Sequence, residues 1–222
     1  MIKLITKLVL KPLSRAVYRP AIEGLENVPR KGGVILASNH FSFIDSVVIP
    51  LTAPRPISFL AKVEYWQMKG FKGRVLRGFF DAIEAVPVRR GEIHLAQAAL
   101  DSALEVLNDG KAFGIYPEGT RSLDNRLYRG KTGVAWLALT AGVPVVPVAL
   151  SGTAEILPVG SRRPRLRKVT VRFGEPLDFS HLHGQARNAR VRRQVTDEVM
   201  AAIHALSGQE LAEVYNEAPK AA

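Results

Sequence analysis

A histidine and an aspartate stand five residues apart in the segment NHFSFID, residues 39–45. This segment directly follows an apolar run that predicts a buried strand, and α/β sheets bind ligands beyond the carboxyl ends of their strands. If the chain enters a helix just after His40, Asp45 can fold back onto the imidazole. An aspartate there fixes the tautomer of the ring and leaves its other nitrogen free to accept a proton. Taken alone, the pair also fits a structural histidine beside a helix cap.

The rest of the chain supplies no nucleophile for this pair. It contains no G-x-S-x-G elbow and no cysteine, which excludes a cysteine nucleophile, disulfides and thiolate metal sites. A His–Asp pair without its own nucleophile is expected to activate a hydroxyl group of the substrate.

Two further segments follow predicted strands and carry groups suited to phosphate. In YPEGTRS, residues 116–122, Gly119 frees the backbone to form an anion nest, and Arg121 offers a planar guanidinium. In VPVRRG, residues 86–91, a strand runs into Arg89 and Arg90. An ordinary surface turn and a solvated strand end are the alternatives. Three such strand ends together predict one rim that holds a base and several phosphate-binding cations.

The elements that position these groups alternate between strand and helix. Strands are predicted at residues 33–38, 57–61, 82–88, 111–116, 143–150 and 169–173. Helices are predicted at residues 92–109, 131–141 and 186–206. Pro144 and Pro147 suggest that the fifth strand lies at an edge or pairs irregularly. The pattern indicates a single α/β domain with a largely parallel central sheet flanked by helices, spanning residues 20–207, followed by a weakly ordered tail at 208–222.

The chain of 222 residues carries a formal net charge of +11, which favours polyanionic partners. Residues 1–19 predict a basic amphipathic helix, because four basic residues recur every four positions among apolar ones: Lys3, Lys7, Lys11 and Arg15. This helix either associates with a membrane surface or docks on the core. No transmembrane helix or secretory signal is apparent, since the longest apolar runs are about half of the ~20 residues that span a bilayer. The basic loop at 161–168 suits an anionic surface or solvent equally.

Two partial motifs are rejected. The sequence Gly130-Lys131-Thr132 resembles the end of a P-loop, but Asn125 stands where that motif requires glycine. His181 and His183 have no further ligands nearby, so no metal site is expected.

As an ordered set, these segments resemble the lysophospholipid and glycerol-phosphate acyltransferase family, particularly its 1-acylglycerol-3-phosphate acyltransferase branch. The resemblance covers roughly residues 20–178: the NH-x4-D motif at 39–45, the phosphate motif at 86–91, the EGTR block at 118–122, and the proline motif VPVVPV at 143–148. The family often has aspartate where this chain has Arg89, so either Arg89 or Arg90 is expected to hold phosphate.

The resemblance implies transfer of a fatty acyl group from a thioester donor, acyl-CoA or acyl carrier protein, to a hydroxyl of lysophosphatidic acid. His40 would be the general base and Asp45 its partner, with no acyl-enzyme and no cofactor. The expected substrate-binding residues are Lys62, Arg89, Arg90, Glu118, Gly119, Thr120, Arg121 and Lys131. The enzyme would lie on the cytoplasmic face of the cell membrane as a monotopic protein.

Two alternatives stay open at the level of sequence. The same chemistry could act on glycerol 3-phosphate, another lysophospholipid or a glycolipid. A protein of a different class, a non-catalytic basic membrane- or nucleic-acid-binding protein, would also explain the charge. Nucleic acid is not the expected partner, because no nucleic-acid module is visible and aromatic residues are only 7% of the chain.

Overall fold

The computed structural model describes residues 19–82, 84–88, 93–158, 161 and 165–217. The predicted N-terminal helix therefore lies outside the described residues, except for Arg19. Arg89, Arg90 and part of the basic loop at 161–168 also lie outside them.

A seven-stranded sheet forms the centre of the described chain, in the order β1-β7-β6-β2-β5-β3-β4. The strands are β1 (Ala21–Glu23), β2 (Val34–Ser38), β3 (Ile57–Lys62), β4 (Val86–Val88), β5 (Ala112–Ile115), β6 (Val145–Ser151) and β7 (Thr170–Phe173). Neighbouring strands run parallel, except that β6 and β7 are antiparallel. The prediction of a largely parallel α/β sheet is therefore confirmed.

Helices connect the strands and cover the sheet. They are α1 (Asp45–Thr52), α2 (Glu64–Gln67), α3 (Gly70–Ala82), α4 (Ile93–Asn108), α5 (Gly133–Ala141), α6 (Thr153–Ile156) and α7 (Ala189–Ser207). Within the described ranges, two short 3-10 helices, Leu25–Asn27 and Ser180–Leu182, lie in loops. The last helix begins at a capping side chain, since Asn188 accepts hydrogen bonds from the backbone N–H groups of Arg190 and Val191.

Alternate residues of β2 enter two different hydrophobic clusters. Ile35 and Ala37 pack with α4, α5 and α7 on one face of the sheet. Val34 and Leu36 pack on the other face with residues of α1 and of neighbouring strands. All five residues of β2 are buried. A strand covered on both faces places the residues at its carboxyl end on a rigid support.

Two strand predictions need correction. The strand predicted at 82–88 is confined to β4, because helix α3 ends only at Ala82 and Glu84 and Ala85 lie in the turn between helix and strand. The prolines of the fifth strand left two possibilities open, an edge position or irregular pairing, and the edge position is wrong, because β6 lies between β2 and β7. It pairs parallel with β2 and antiparallel with β7. Pro147 is tolerated there because it stands opposite Gly174, just beyond the end of β7, and its carbonyl still accepts a bond from the N–H of Gly174 at 2.8 Å.

The described part of the C-terminal segment, residues 208–217, hydrogen-bonds to the domain. The N–H of Leu127 donates to the carbonyl of Glu210, and the N–H of Ala212 donates to the carbonyl of Leu127, at 2.8 and 2.9 Å. Ala212 is buried. This part of the chain is thus attached by backbone bonds, in contrast to the weakly ordered tail that its composition suggested.

Candidate active site

His40 and Asp45 meet just beyond the carboxyl end of β2. Nδ1 of His40 lies 2.8 Å from Oδ2 of Asp45, and Asp45 is the first residue of α1. The imidazole side chain is 13% exposed and the carboxylate is fully buried. Among the described residues, none hydrogen-bonds Nε2 of His40. The pair predicted from the sequence is therefore assembled, with one ring nitrogen held and the other available.

The same oxygen of Asp45 accepts two further bonds. The backbone N–H groups of Phe41 and Ser42 donate to Oδ2 at 2.7 and 2.8 Å. Together with Nδ1 of His40, these two N–H groups make three donors to one oxygen, and they fix the carboxylate against the ring nitrogen. The other oxygen, Oδ1, is buried and has no partner among the described residues. A negative charge at the first turn of a helix is also favoured by the helix dipole.

Stacked aromatic rings support the side chain of His40. The His40 ring is stacked on the phenol ring of Tyr116, with centroids 3.8 Å apart and planes inclined by 10°. Phe59 of β3 also stacks on Tyr116, with ring centroids 5.4 Å apart. The Tyr116 hydroxyl lies 3.0 Å from Oγ of Ser46, and desolvation raises its pKa well above the usual value, with the charge of Asp45 acting in the same direction.

Residues 39–45 carry the predicted His–Asp pair and are called here the catalytic loop. Glu118 ties this loop to the EGTR turn from inside the protein. Its side chain is fully buried. Oε1 accepts the backbone N–H of His40 and Oε2 accepts that of Tyr128, each at 3.0 Å. Burial raises the pKa of the Glu118 carboxyl to about 7, although the two N–H groups act in the opposite sense. The carboxylate therefore holds two backbone segments together.

The EGTR turn also binds the carbonyl group of the same residue, His40. The N–H of Ser122 donates to the carbonyl of His40 at 2.7 Å. Because Glu118 receives the N–H of His40 and Ser122 binds its carbonyl, the backbone of the histidine is held at both ends by one turn. The sequence offered no sign of this direct coupling between the two motifs.

The cationic side chains predicted at the acceptor site lie around this turn. Gly119 adopts a left-handed conformation, φ 77°, and an added Cβ would come within 3.0–3.1 Å of the Lys131 side chain. Lys131 is also anchored by its N–H, which donates to the carbonyl of Pro117 at 2.7 Å. Thr120 is half-buried and Arg121 is exposed. The structure therefore brings Lys131 to the turn that carries Arg121.

Of the remaining predicted cations, the structure describes only Lys62, by its backbone position. Lys62 is the last residue of β3 and pairs in register with Val88 of β4, so its Cα lies at the carboxyl edge of the sheet. Arg89 and Arg90 follow β4 but lie outside the described residues.

Asn39 fastens the start of the catalytic loop to the neighbouring strand. Its Oδ1 accepts the N–H of Leu150 at 2.8 Å, and its Nδ2 donates to the Leu150 carbonyl at 3.0 Å. Nδ2 also donates to Oε1 of Gln209 at 2.6 Å, while the Gln209 amide donates to the carbonyl of Asn125 at 2.8 Å. Asn216 similarly donates to the carbonyl of Arg121 at 3.1 Å. The C-terminal segment thus contacts both motifs.

Within the described ranges, no cluster of three or more His, Asp or Glu side chains is arranged to hold a metal ion. None of the helices in these ranges is long and apolar enough to cross a membrane.

The fold and the site define an α/β protein with a buried His–Asp pair at the carboxyl edge of a largely parallel sheet. The family model described as "Acyltransferase" matches residues 19–151, which include the pair, the EGTR turn and β6. The chain belongs to this acyltransferase family.

Several curated relatives carry the name 1-acyl-sn-glycerol-3-phosphate acyltransferase. The chloroplastic protein BAT2 of Brassica napus is 33% identical over 145 residues, 65% of this chain and 40% of that protein. The Borreliella burgdorferi protein is 34% identical, over 60% of this chain and 51% of its own length. The Bacillus subtilis protein is 28% identical, over 78% and 83%. The matched part is thus only about two fifths of the plant relative.

A solved structure shares the fold. The 1-acyl-sn-glycerophosphate (LPA) acyltransferase PlsC from Thermotoga maritima superposes with a TM-score of 0.67 at 27% identity. The similarity covers 90% of this chain and 77% of that chain.

Proposed function

We propose that the protein transfers a fatty acyl group from a thioester donor to a free hydroxyl of lysophosphatidic acid, with His40 as general base. One observation carries the proposal: Nδ1 of His40 is held at 2.8 Å by a carboxylate that three donors immobilise, while Nε2 has no partner among the described residues. The names of the relatives support lysophosphatidic acid as the acceptor.

The geometry suits direct transfer between the two substrates. With its Nδ1–H donated to Asp45, the neutral imidazole presents a lone pair at Nε2. Nε2 takes the proton of the acceptor hydroxyl as its oxygen attacks the thioester carbonyl. A C–O bond forms, the C–S bond breaks, and the proton leaves on the departing thiol. Asp45 stabilises the transient imidazolium without itself accepting a proton.

The phosphate of the acceptor would lie at the EGTR turn. Arg121 and Lys131 flank the Gly119 backbone there, and a guanidinium can bind phosphate through two parallel hydrogen bonds. Lys62, Arg89 and Arg90 would add cations from the ends of β3 and β4. Glu118 would act through the backbone that it holds, because its own carboxylate is buried.

The donor and the place of action follow from the chemistry of the substrates. Acyl-CoA is the proposed donor, with acyl carrier protein as the alternative, and no further cofactor is required. Both substrates are amphiphiles, so the enzyme would act as a peripheral protein on the cytoplasmic face of the cell membrane. The net charge of +11 favours an anionic bilayer.

The test is thiol release from acyl-CoA with purified protein. His40→Ala is expected to lower kcat with lysophosphatidic acid by at least about 10³-fold, and Asp45→Asn by at least about 10²-fold, because both members of the pair act on one proton. His181→Ala, at an exposed histidine, is the matched control and should act as wild type.

The melting temperature of each variant shows whether the fold is kept. Turnover retained in folded His40→Ala would contradict the mechanism. Wild-type turnover with glycerol 3-phosphate or a glycolipid, but not with lysophosphatidic acid, would contradict the acceptor.

A further inference from the structure

Helices α2 and α3 present apolar side chains to solvent beside the catalytic loop. Phe71 is 77% exposed, Val75 56% and Met68 42%. Phe71 and Val75 are four residues apart on α3, so they lie on one face of the helix, and Met68 precedes them in the connection from α2. These three residues are called here the α3 face.

The fold does not require this face. The opposite side of α3 is buried, where Phe80 packs with Leu76 and Phe79 against the rings of Tyr65 and Trp66. The connection to α2 is close, since a side chain at Gly73 would collide with the carbonyl of Met68. Because the inner side already anchors the helix, the outward apolar residues contribute little to folding.

Cations surround the apolar residues. Lys69, Arg74 and Arg77 are exposed, and none of them forms an ion pair with a described residue. They line an open depression of about 410 Å³ together with Trp66 and Met68. Apolar side chains on the outer face of a helix, flanked by unpaired basic ones, are the pattern of a helix that lies in the interface of an anionic bilayer.

The α3 face is connected directly to the proposed catalytic site. Phe43 stands in the loop between His40 and Asp45, and its ring meets Tyr65 edge-on at 5.8 Å and Phe80 at 6.4 Å. The helix pair that carries the face therefore packs against the loop that carries the base. A bilayer in contact with this face would lie beside the site that needs a lipid acceptor.

We propose that the α3 face inserts into the headgroup region of an anionic bilayer, with Phe71 and Val75 among the lipid chains and Lys69, Arg74 and Arg77 on phosphates. This deepens the proposed function, because it rests on an amphiphilic acceptor, and it adds a membrane contact separate from the N-terminal segment. An acidic carrier protein would be attracted by the same cations, but it would not require a phenylalanine that is 77% exposed.

Co-sedimentation of the full chain with vesicles tests the proposal. The double variant Phe71→Ser, Val75→Ser is expected to bind phosphatidylglycerol-containing vesicles about tenfold more weakly than wild type, because it removes the inserted apolar groups. Arg74→Glu with Arg77→Glu should lose binding to these vesicles in the same way. Val214→Ser, at a valine that is 61% exposed elsewhere, is the matched control and should bind normally.

Activity measurements distinguish a failure of the membrane contact from a failure of the proposed function. The double variant should turn over a monodisperse short-chain lysophosphatidate like wild type and lose rate only when the acceptor is embedded in vesicles. His40→Ala should bind vesicles like wild type, because binding needs no chemistry. If the wild-type chain transfers no acyl group, the proposed function fails. The vesicle assay still decides whether the α3 face contacts the membrane.

A labelling experiment does not depend on the folding of the double variant. The chain has no cysteine, so Phe71→Cys introduces a unique thiol for an environment-sensitive fluorophore. Anionic vesicles should shift its emission to the blue, and a label at Val214→Cys should not respond. Wild-type vesicle binding by the double variant, or no shift at Phe71→Cys, overturns the proposal. So does a loss confined to turnover with an acyl-carrier-protein donor, which would make the face a protein-docking surface.

Discussion

The imidazole of His40 lies flat on the phenol ring of Tyr116, with 3.8 Å between the ring centroids and 10° between the planes. Tyr116 is itself fixed by the stacked ring of Phe59 and by Ser46 at its hydroxyl. The proposed base is thus held in two ways: Asp45 fixes the ring by a hydrogen bond in its plane, and Tyr116 supports its face.

Removal of this support should affect catalysis more than folding. Tyr116→Leu is expected to lower kcat by about 10- to 100-fold with little change in KM for either substrate, because the imidazole can then tilt away from the attacking hydroxyl. Steady-state kinetics with acyl-CoA and lysophosphatidic acid measure the effect.

Tyr116→Phe is the matched control. It keeps the ring beneath His40 and loses only the hydrogen bond to Ser46, so it should cost about 1 kcal/mol of stability and leave most of kcat. If Phe and Leu at this position lower kcat equally, the hydroxyl and not the stacked ring is important.

Much of this site was visible in the sequence, for physical reasons that can be named. The strand before His40 is a short apolar run, and its burial on both faces follows from that composition. The contact of His40 with Asp45 was predicted on condition that a helix began after the histidine, and α1 begins at Asp45. The roles of Tyr116 and Gln209 were missed, because a stacked ring and a hydrogen bond across 170 residues leave no local pattern.

Helix α3 shows that the fold, too, could be predicted only in part from local sequence patterns. Glycines at positions 70, 73 and 78 lower its helix propensity, and no helix was predicted there. Tertiary packing of Phe80 in an aromatic cluster outweighs that propensity. The edge position suggested for β6 was wrong because Pro147 stands opposite Gly174, one residue beyond the β6–β7 ladder, where its missing N–H interrupts no bond within that ladder.

Glu118 should make the stability of the protein fall as the pH rises from about 4.5 to about 7. In the folded chain its carboxyl has a pKa of about 7, against 4.5 for an ordinary glutamate. Between these values the folded state retains a proton that the unfolded state has lost, so each unit of pH costs about 1.4 kcal/mol. The loss is complete above pH 7 and is on the order of 3–4 kcal/mol, about 1.4 kcal/mol for each of the roughly 2.5 units between the two pKa values.

Glu118→Gln isolates this contribution. An amide at position 118 cannot accept from both backbone N–H groups, so the variant should be less stable at every pH by about 1–3 kcal/mol. It cannot titrate, so the stability gap to wild type should be larger at pH 5 than at pH 8. Urea unfolding at both pH values measures the gap, with the exposed Glu105→Gln as control. A gap that is constant or widens with pH would contradict the raised pKa.

The C-terminal segment should stabilise the catalytic loop through one shared hydrogen bond. Asn39→Ala is expected to cost about 3 kcal/mol, because it leaves the buried N–H and carbonyl of Leu150 without partners. Gln209→Ala removes the bonds to Asn39 and to the carbonyl of Asn125 and should cost about 1 kcal/mol. Because Nδ2 of Asn39 donates to Gln209 at 2.6 Å, the double variant should lose less than the sum.

Chemical denaturation of the four proteins in this cycle measures the coupling. Gln209→Glu is a useful further variant, since it keeps an acceptor for Asn39 but loses the donor to Asn125. Strict additivity of the two alanine variants would show that the segment does not act on the loop through Asn39.

Arg121 and Arg126 lie in the same loop between β5 and α5 but differ in their partners, and this difference makes the acceptor site testable. Nε of Arg126 is paired with Oδ2 of Asp124 at 2.8 Å, and its guanidinium lies over the ring of Tyr128. The side chain of Arg121 is exposed and forms no ion pair with any acidic residue that the structure describes. Of these two arginines, Arg121 is therefore the one whose guanidinium is free to bind an incoming phosphate.

Arg121→Ala should raise KM for lysophosphatidic acid by about 10- to 100-fold, the loss expected for a hydrogen bond between charged groups, with a smaller effect on KM for acyl-CoA. Arg121→Lys should recover part of the affinity, because an ammonium keeps the charge but not the two parallel hydrogen bonds. Arg126→Ala should leave KM for the acceptor near the wild-type value. With monoacylglycerol, which has no phosphate, wild type and Arg121→Ala should become alike. An unchanged KM for lysophosphatidic acid in folded Arg121→Ala would remove Arg121 from the acceptor site and leave Lys131, on the same Gly119 backbone, as the cation to test in its place.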